Sequence, residues 1–452
     1  MSPFPQKPFF KFVFISVLLT LLSVVSVVPR ASAQNGTTNL HINSRRLQST
    51  LEELSKYGRN PDGGVTRTAF SKEDQAAREF AMGLMKDAGL QVRVDQAGNI
   101  FGRRAGSQNL PTLLFGSHID SVLHGGNFDG DVGSMGAIEV ARALQEHKVV
   151  TRHPLEVVIW ANEEGNHFSQ GTFGSAAAAG LLNDDILKRE DDHGLTLADW
   201  LRRYGQDPAR FSEARIPPAS LAGYVELHIE QGGTLDEARI PIGVVQGIVG
   251  INGWTCVNVG FANHAGTTPM NRRQDALAAA SRDVLVVREE VNRTPGRQVG
   301  TVGTMKVEPG APNVIPGRVE FSIDLRDLES ARINSVWARI QKRFEAIAAE
   351  ENVTTTCKLM ETVEPAQADA EFRAAIRDAA VATSLATLGL PSGAGHDAQN
   401  MAKITRMGMI FVPSRGGISH SPKEFSTWEH VANGAEVLYR TILLLDERVN
   451  PQ

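Results

Sequence analysis

The chain of 452 residues is 42% hydrophobic and 21% charged, enough to bury more than one core and to suggest two or three domains. Its net charge of −5 gives no general basis for binding nucleic acid or an anionic membrane surface. Two cysteines, Cys256 and Cys357, can pair, but in so long a chain they do not make a disulfide framework.

The first segment places Lys7 and Lys11 before FVFISVLLTLLSVVSVV, then Ala31-Ser32-Ala33 ahead of Gln34. That order of basic, apolar and small residues predicts a secretory signal peptide over residues 1–33. The mature protein is then secreted or periplasmic, with no stable membrane insertion. The apolar run lies near the lower limit for a span, so an uncleaved N-terminal anchor is the alternative.

From residue 40 to 100 the pattern reads helix, helix, strand. Ser71 opens SKEDQAAREFAMGLMKDAG, whose Ala76, Phe80 and Leu84 recur on one helical face before Ala88-Gly89 ends it. LQVRVD then alternates as a half-buried strand, and TLLFGSHID is a short apolar strand running into polar residues. A helix is predicted over 133–148, and LEVVIWANEEGN repeats the apolar strand with an acidic end. Strands alternating with helices predict an α/β layer structure, whose sites gather where parallel strands end.

Four places hold polar residues at such ends, the fourth being His420. His118 and Asp120 are followed by Asp129 in a glycine-rich loop, Glu163 and Glu164 are adjacent, and His228 and Glu230 share a strand face with Glu226. Imidazoles and carboxylates of this kind suit zinc, manganese or cobalt, and one Asp bridging two ions sets a two-metal site. Asp120 is placed to orient His118. One of the two glutamates can bind metal while its neighbour takes a proton as general base. Each cluster also has a plainer reading as a solvated strand end, and for YVELHIEQG as a solvated edge strand. His124, between an apolar residue and glycines, is assigned no role.

From about residue 247 the texture changes to strand, turn, helix, two strands and helix, a compact α+β pattern long enough to be a domain of its own. It carries His264 in NHAGTTPM, Asn313 in GAPNVIPG and Arg326 in DLRD. His264 and Asn313 can bond a carbonyl oxygen that gains charge, and Arg326 can hold a carboxylate by two bonds. A helix over 366–388, the strand MGMIFVP and a last helix over 427–446 follow, with His420 between the last two.

The segments GSHIDSVLHGGNFDG, NEEGNHF, ELHIEQG, NHAGTTPM, GAPNVIPGRVEFSIDLRD, SGAGHDAQNMA and ISHSP, in that order, resemble the M20 metallopeptidase superfamily. Within it they are most similar to the hydantoinase/carbamoylase group of allantoate amidohydrolases and N-carbamoyl-L-amino-acid hydrolases. The resemblance implies a two-domain fold: a mixed-sheet catalytic domain over 36–246 and 361–447, interrupted by an α+β dimerisation and lid domain over 247–360. It implies two divalent ions (Zn, Mn or Co), with His118 and His228 on one, Glu164 and His420 on the other, and Asp129 on both. Glu163 would be the general base and Asp120 the orienter of His118. His264, reaching across a homodimer, would join Asn313 and Arg326 around a small ureido acid, with Gln231 and His396 as further pocket residues. The implied reaction is cleavage of the ureido C–N bond of N-carbamoyl-L-amino acids to amino acid, ammonia and carbon dioxide. Its alternatives are allantoate hydrolysis, another M20 amidase or peptidase activity, and a non-enzymatic secreted binding protein. One departure stands out, because the family's usual E-E-G-x-R-F reads Glu163-Glu164-Gly165-Asn166-His167-Phe168 here.

Overall fold

Short apolar runs that stop in polar residues become the strands of a large sheet. The computed structural model describes residues 41–449 apart from 167, 169, 192 and 294. The expected signal peptide and His167 lie outside the described residues. The chain lays down β1 (Gln91–Val94), β2 (Ile100–Arg104), β3 (Thr112–His118), β4 (Leu155–Trp160), β5 (Leu221–Ile229) and β6 (Ile242–Ile248). It then forms β7 (Gly250–Val259), β8 (Asn263–His264), β9 (Val299–Thr301), β10 (Met305–Glu308), β11 (Val314–Ile315), β12 (Arg318–Asp327) and β13 (Thr354–Val363). It closes with β14 (Ala366–Gln367), β15 (Thr387–Ser392) and β16 (Met407–Val412).

The large sheet is mixed, in the order β1-β2-β4-β3-β5-β16-β6-β14 with β15 beside β6. Its centre is parallel: β3 pairs with both β4 and β5, and β5 with β16. Strands buried on both faces must be apolar throughout, and β3, β4 and β16 are buried at every position. Helices Asp131–Glu146, Ala370–Ala382 and Trp428–Arg448 pack on these strands. Each Leu, Ile, Val or Phe fully removed from water there contributes about 1.5–3 kcal/mol.

A smaller antiparallel sheet, β10-β12-β7-β13 with β9 beside β12, is spelled out between β6 and β14. Buried and half-buried positions alternate along β12, so Val319, Phe321, Ile323 and Leu325 share one face. Helix Ser330–Glu351 meets that face with Ile333, Val336, Ile340, Phe344 and Ile347, spaced three and four apart. Cys256 on β7 stands directly opposite Cys357 on β13, and the two form a disulfide.

Several expectations need correction. YVELHIEQG is not a solvated edge: β5 lies between β3 and β16, and Glu226 is fully buried. The 366–388 segment is not one helix. The helix runs Ala370–Ala382, and the flanking residues pair with β6 as β14 and β15. Its Ala- and Leu-rich tail suits a helix locally, but residues 387–392 pair with β6 instead. β1 is mostly exposed rather than half-buried, being the sheet's outer strand. β2 had no expected counterpart.

Candidate metal centre and active site

Four neighbouring strands deliver their polar residues to one edge of the sheet. His118 is the last residue of β3, and His228 the penultimate residue of β5. Glu163 and Glu164 follow β4, and His420 follows β16. Asp129 hangs in the loop between β3 and helix Asp131–Glu146. This loop turns at Gly130, where φ is 65° and a Cβ would lie 2.4 Å from the His118 ring.

Asp129 divides its two oxygens. Oδ1 lies 3.5 Å from His118 Nε2 and 3.1 Å from His228 Nε2, and those nitrogens are 3.5 Å apart. Oδ2 lies 3.3 Å from His420 Nε2, which is 3.5 Å from Glu164 Oε2. The five side chains thus form two donor clusters that overlap at Asp129. Bonds of about 2.0–2.1 Å to a tetrahedral zinc separate neighbouring donors by about 3.3 Å, so these spacings fit a pair of divalent ions. Glu164 Oε1 is buried without a hydrogen-bond partner, a cost that a bound cation removes.

Backbone carbonyls set the imidazole tautomers. His118 Nδ1 faces the carbonyl of Asp120 at 3.0 Å, and His228 Nδ1 that of Ile229 at 2.9 Å. A carbonyl only accepts, so Nδ1 carries the hydrogen in both rings and Nε2 faces the cluster. Asp120 meets His118 through its main chain rather than its carboxylate. Its carbonyl holds His118, while its carboxylate is 3.7 Å from the ring and accepts instead from the Glu163 and Glu164 N–H groups, at 3.1 Å each. Asp120 therefore fixes the turn that presents both glutamates.

Burial pushes the Glu163 carboxyl well above its usual range, with Asp397 and Glu164 adding to the shift against His118. Burial and Asp129 raise Glu164 to about 8. Asp129 goes the other way, as His228, His118 and His420 outweigh its burial and hold it well below the usual carboxylate range. Its hydrogen bond to His420 raises that imidazole to about 9. Glu163 Oε2 lies 3.8 Å from His118 Nε2.

With this geometry in view, comparisons place the chain. Residues 110–444 match the model of Peptidase family M20/M25/M40. The N-carbamoyl-L-amino acid amidohydrolase of Geobacillus stearothermophilus is 44% identical over 402 residues, covering 89% of this chain and 98% of that one. The crystal structure of an amidase of the hydantoinase/carbamoylase family from Burkholderia multivorans superposes with a TM-score of 0.85 at 37% identity, covering 91% of this chain and all of that one. The chain belongs to the hydantoinase/carbamoylase family of the M20 superfamily.

The remaining residues singled out by the family pattern divide in two. Gln231 joins the centre, its Nε2 donating to Asp129 Oδ2 at 2.7 Å and lying 3.4 Å from His420 Nε2. His396 packs edge-on against His228 with centroids 4.5 Å apart. Burial and the nearby His228 hold it well below the usual imidazole range, hence neutral. The others sit on the smaller domain of this hydantoinase/carbamoylase family member. His264 is exposed on β8, opposite Val314 of β11, and Asn313 accepts from the Ala265 N–H at 2.9 Å. Among the described residues no contact ties His264 or Asn313 to the donor clusters.

Arg326 on β12 is held side-on by Asp324, at 2.8 and 3.1 Å, and its Nη1 donates to the Gly393 carbonyl at 2.9 Å. It lines a cavity of ≈ 620 Å³ with Trp254, Val299 and Gly393. Val299 and Gly393 also line a second cavity of ≈ 700 Å³, which reaches Gln231. The two cavities thus adjoin between Arg326 and the metal centre.

Sequence reasoning missed how this centre is braced. Arg67, buried, donates from Nη2 to both Asp131 oxygens at 2.8 and 2.7 Å and from Nε to the carbonyl of Ile119. Glu226 accepts from Ser117 Oγ and the Ala398 N–H, tying β5 to β3 and to the helix after His396. Glu424 and Ser419 meet the Asp129 loop from beyond β16. Arg67 and Asp131 are 64 residues apart and belong to no common motif. Glu424 carries a weak signal, lying four residues beyond His420 in HSPKE. His124, assigned no role, is exposed beside Asp62.

Proposed function

We propose that the chain is a metal-dependent amidohydrolase that cleaves the ureido C–N bond of N-carbamoyl-L-amino acids. The observation that carries this reading is the doubled donor set around Asp129 with a spare buried carboxylate, Glu163, beside it, in a chain 44% identical to an N-carbamoyl-L-amino acid amidohydrolase. His118 and His228 would hold one ion, Glu164 and His420 the other, and Asp129 both. The ions would be zinc, manganese or cobalt. Bound there, two such ions lower the pKa of water and polarise a carbonyl oxygen.

The chain's own groups supply the rest. Glu163, whose carboxyl burial raises well above its usual range, takes the proton of the attacking water and returns it to the leaving nitrogen as the C–N bond breaks. Arg326 holds the substrate carboxylate through the guanidinium hydrogens that Asp324 and the Gly393 carbonyl leave free. Asn313, and His264 from the second subunit of a homodimer, bond the carbonyl oxygen as it gains charge. Gln231 and the neutral His396 line the pocket beside the ions. The smaller domain then acts as lid and dimerisation domain. The products are the amino acid, ammonia and carbon dioxide.

A panel assay tests the reading. Protein reloaded with manganese, zinc or cobalt is scored for ammonia from N-carbamoyl-L-alanine and allantoate, and for cleavage of a dipeptide. N-carbamoyl-L-alanine is expected to be turned over fastest. Dipeptide cleavage with no ammonia from either ureido acid would overturn the assignment.

A further inference from the structure

The glycine loop before Asp129 is crossed by a buried acid that the proposed reaction does not use. Glu424 is 3% exposed and lies beyond His420. Its Oε1 accepts from the backbone N–H groups of Phe128 at 2.9 Å and Asp129 at 3.0 Å. Its Oε2 lies 2.7 Å from Ser419 Oγ, which lies 2.9 Å from Asp129 Oδ2. Glu424 thus reaches Asp129 at both ends, at the main chain directly and at the carboxylate through one hydroxyl. Gly126 leaves the space for this, since a Cβ there would lie 2.0 Å from Glu424 Oε1.

We propose that Glu424 is the positioning residue for the shared carboxylate, fixing Asp129 so that one oxygen faces each metal cluster. This rests on the reading of Asp129 as a ligand common to two ions. The task needs shape and hydrogen bonds rather than charge. A glutamine in the same place keeps an oxygen for the two backbone N–H groups. Its amide can also donate to Ser419, leaving the serine hydrogen for Asp129. An alanine keeps none of these bonds. Groups that hold a metal ligand in place typically change metal affinity by about 10–100-fold when removed.

The test is a chelator-competition titration with Mn²⁺ or Zn²⁺ alone, without substrate. Wild-type protein is expected to take up two ions, and Glu424→Ala to bind them about 10–100-fold more weakly with an unchanged circular dichroism spectrum. Glu424→Gln is expected to bind within a few-fold of wild type, a rescue that a requirement for negative charge would not allow. Should Glu424→Ala fail to fold, Ser419→Ala in the half-buried loop removes the hydroxyl link alone and is expected to weaken binding several-fold. Unchanged affinity in Glu424→Ala, or in Ser419→Ala where that variant stands in, overturns the proposal, as does a glutamine variant as weak as the alanine. Fewer than two ions on the wild-type chain would overturn the dinuclear reading and this proposal together.

Discussion

Asp120 does its work with two different groups at once. Its carbonyl fixes the tautomer of His118, and its carboxylate grips the main chain of the paired glutamates. The pair is therefore rigid where it matters, and Glu163 can face the centre while Glu164 faces His420. Because a buried carboxyl is costly to ionise, Glu163 holds a proton more strongly than a surface glutamate does. Glu163→Gln retains the shape but removes the proton acceptor. We expect it to keep two ions by elemental analysis and to lose about 10²–10⁴-fold in kcat. Two bound ions with nearly intact turnover would remove Glu163 from the role of base.

Strands decide which of these residues meet. β4, β3, β5 and β16 run parallel and end at one edge, so four segments from 118 to 420 converge without any local metal motif. Much of this is legible in the sequence, because a strand buried on both faces writes itself as an apolar run and its end as the first polar residues. His118 and Glu163 are readable in that way. The order of the strands is not, since β16 joins β5 only after the smaller domain has intervened. The bracing residues are also hidden, because Arg67, Glu226 and Glu424 act on partners far along the chain. β15 was misread because an Ala- and Leu-rich tail satisfies a helix as well as an edge strand. In the smaller sheet, the disulfide joins strands whose cysteines are 101 residues apart. Replacing both cysteines with alanine is expected to lower stability by about 2–4 kcal/mol, measured by denaturant unfolding. A double variant as stable as the parent would show that strand pairing alone carries this sheet.

Across the whole molecule, Arg326 is one place where the smaller domain touches the catalytic one. Its guanidinium reaches Gly393, directly after Ser392 at the end of β15; that serine bonds His396, and His396 packs on His228. Arg326→Ala is expected to raise KM about 10–100-fold for an N-carbamoyl amino acid, from the loss of charged hydrogen bonds. The matching carboxamide should hardly change, and equal effects on both would place Arg326 outside substrate recognition. We also propose that residues 1–33 are an export signal, a reading supported by the disulfide, which suits an oxidising compartment. N-terminal sequencing of the exported protein should then begin at Gln34, and a retained apolar segment would instead favour the anchor. Among the described residues no helix is long and apolar enough to cross a membrane.

The interruption of one domain by another also sets an order in time. The proposed ligands begin with His118 and close only with His420, while the smaller sheet and its disulfide are spelled out wholly between His228 and His420. Among the described residues that sheet pairs only with itself, so it could form and oxidise while the proposed centre still lacks a ligand. On the proposed dinuclear reading, capture of a second ion would then be a late event in the chain's biogenesis, and full metal content would report that the last strand has found its place.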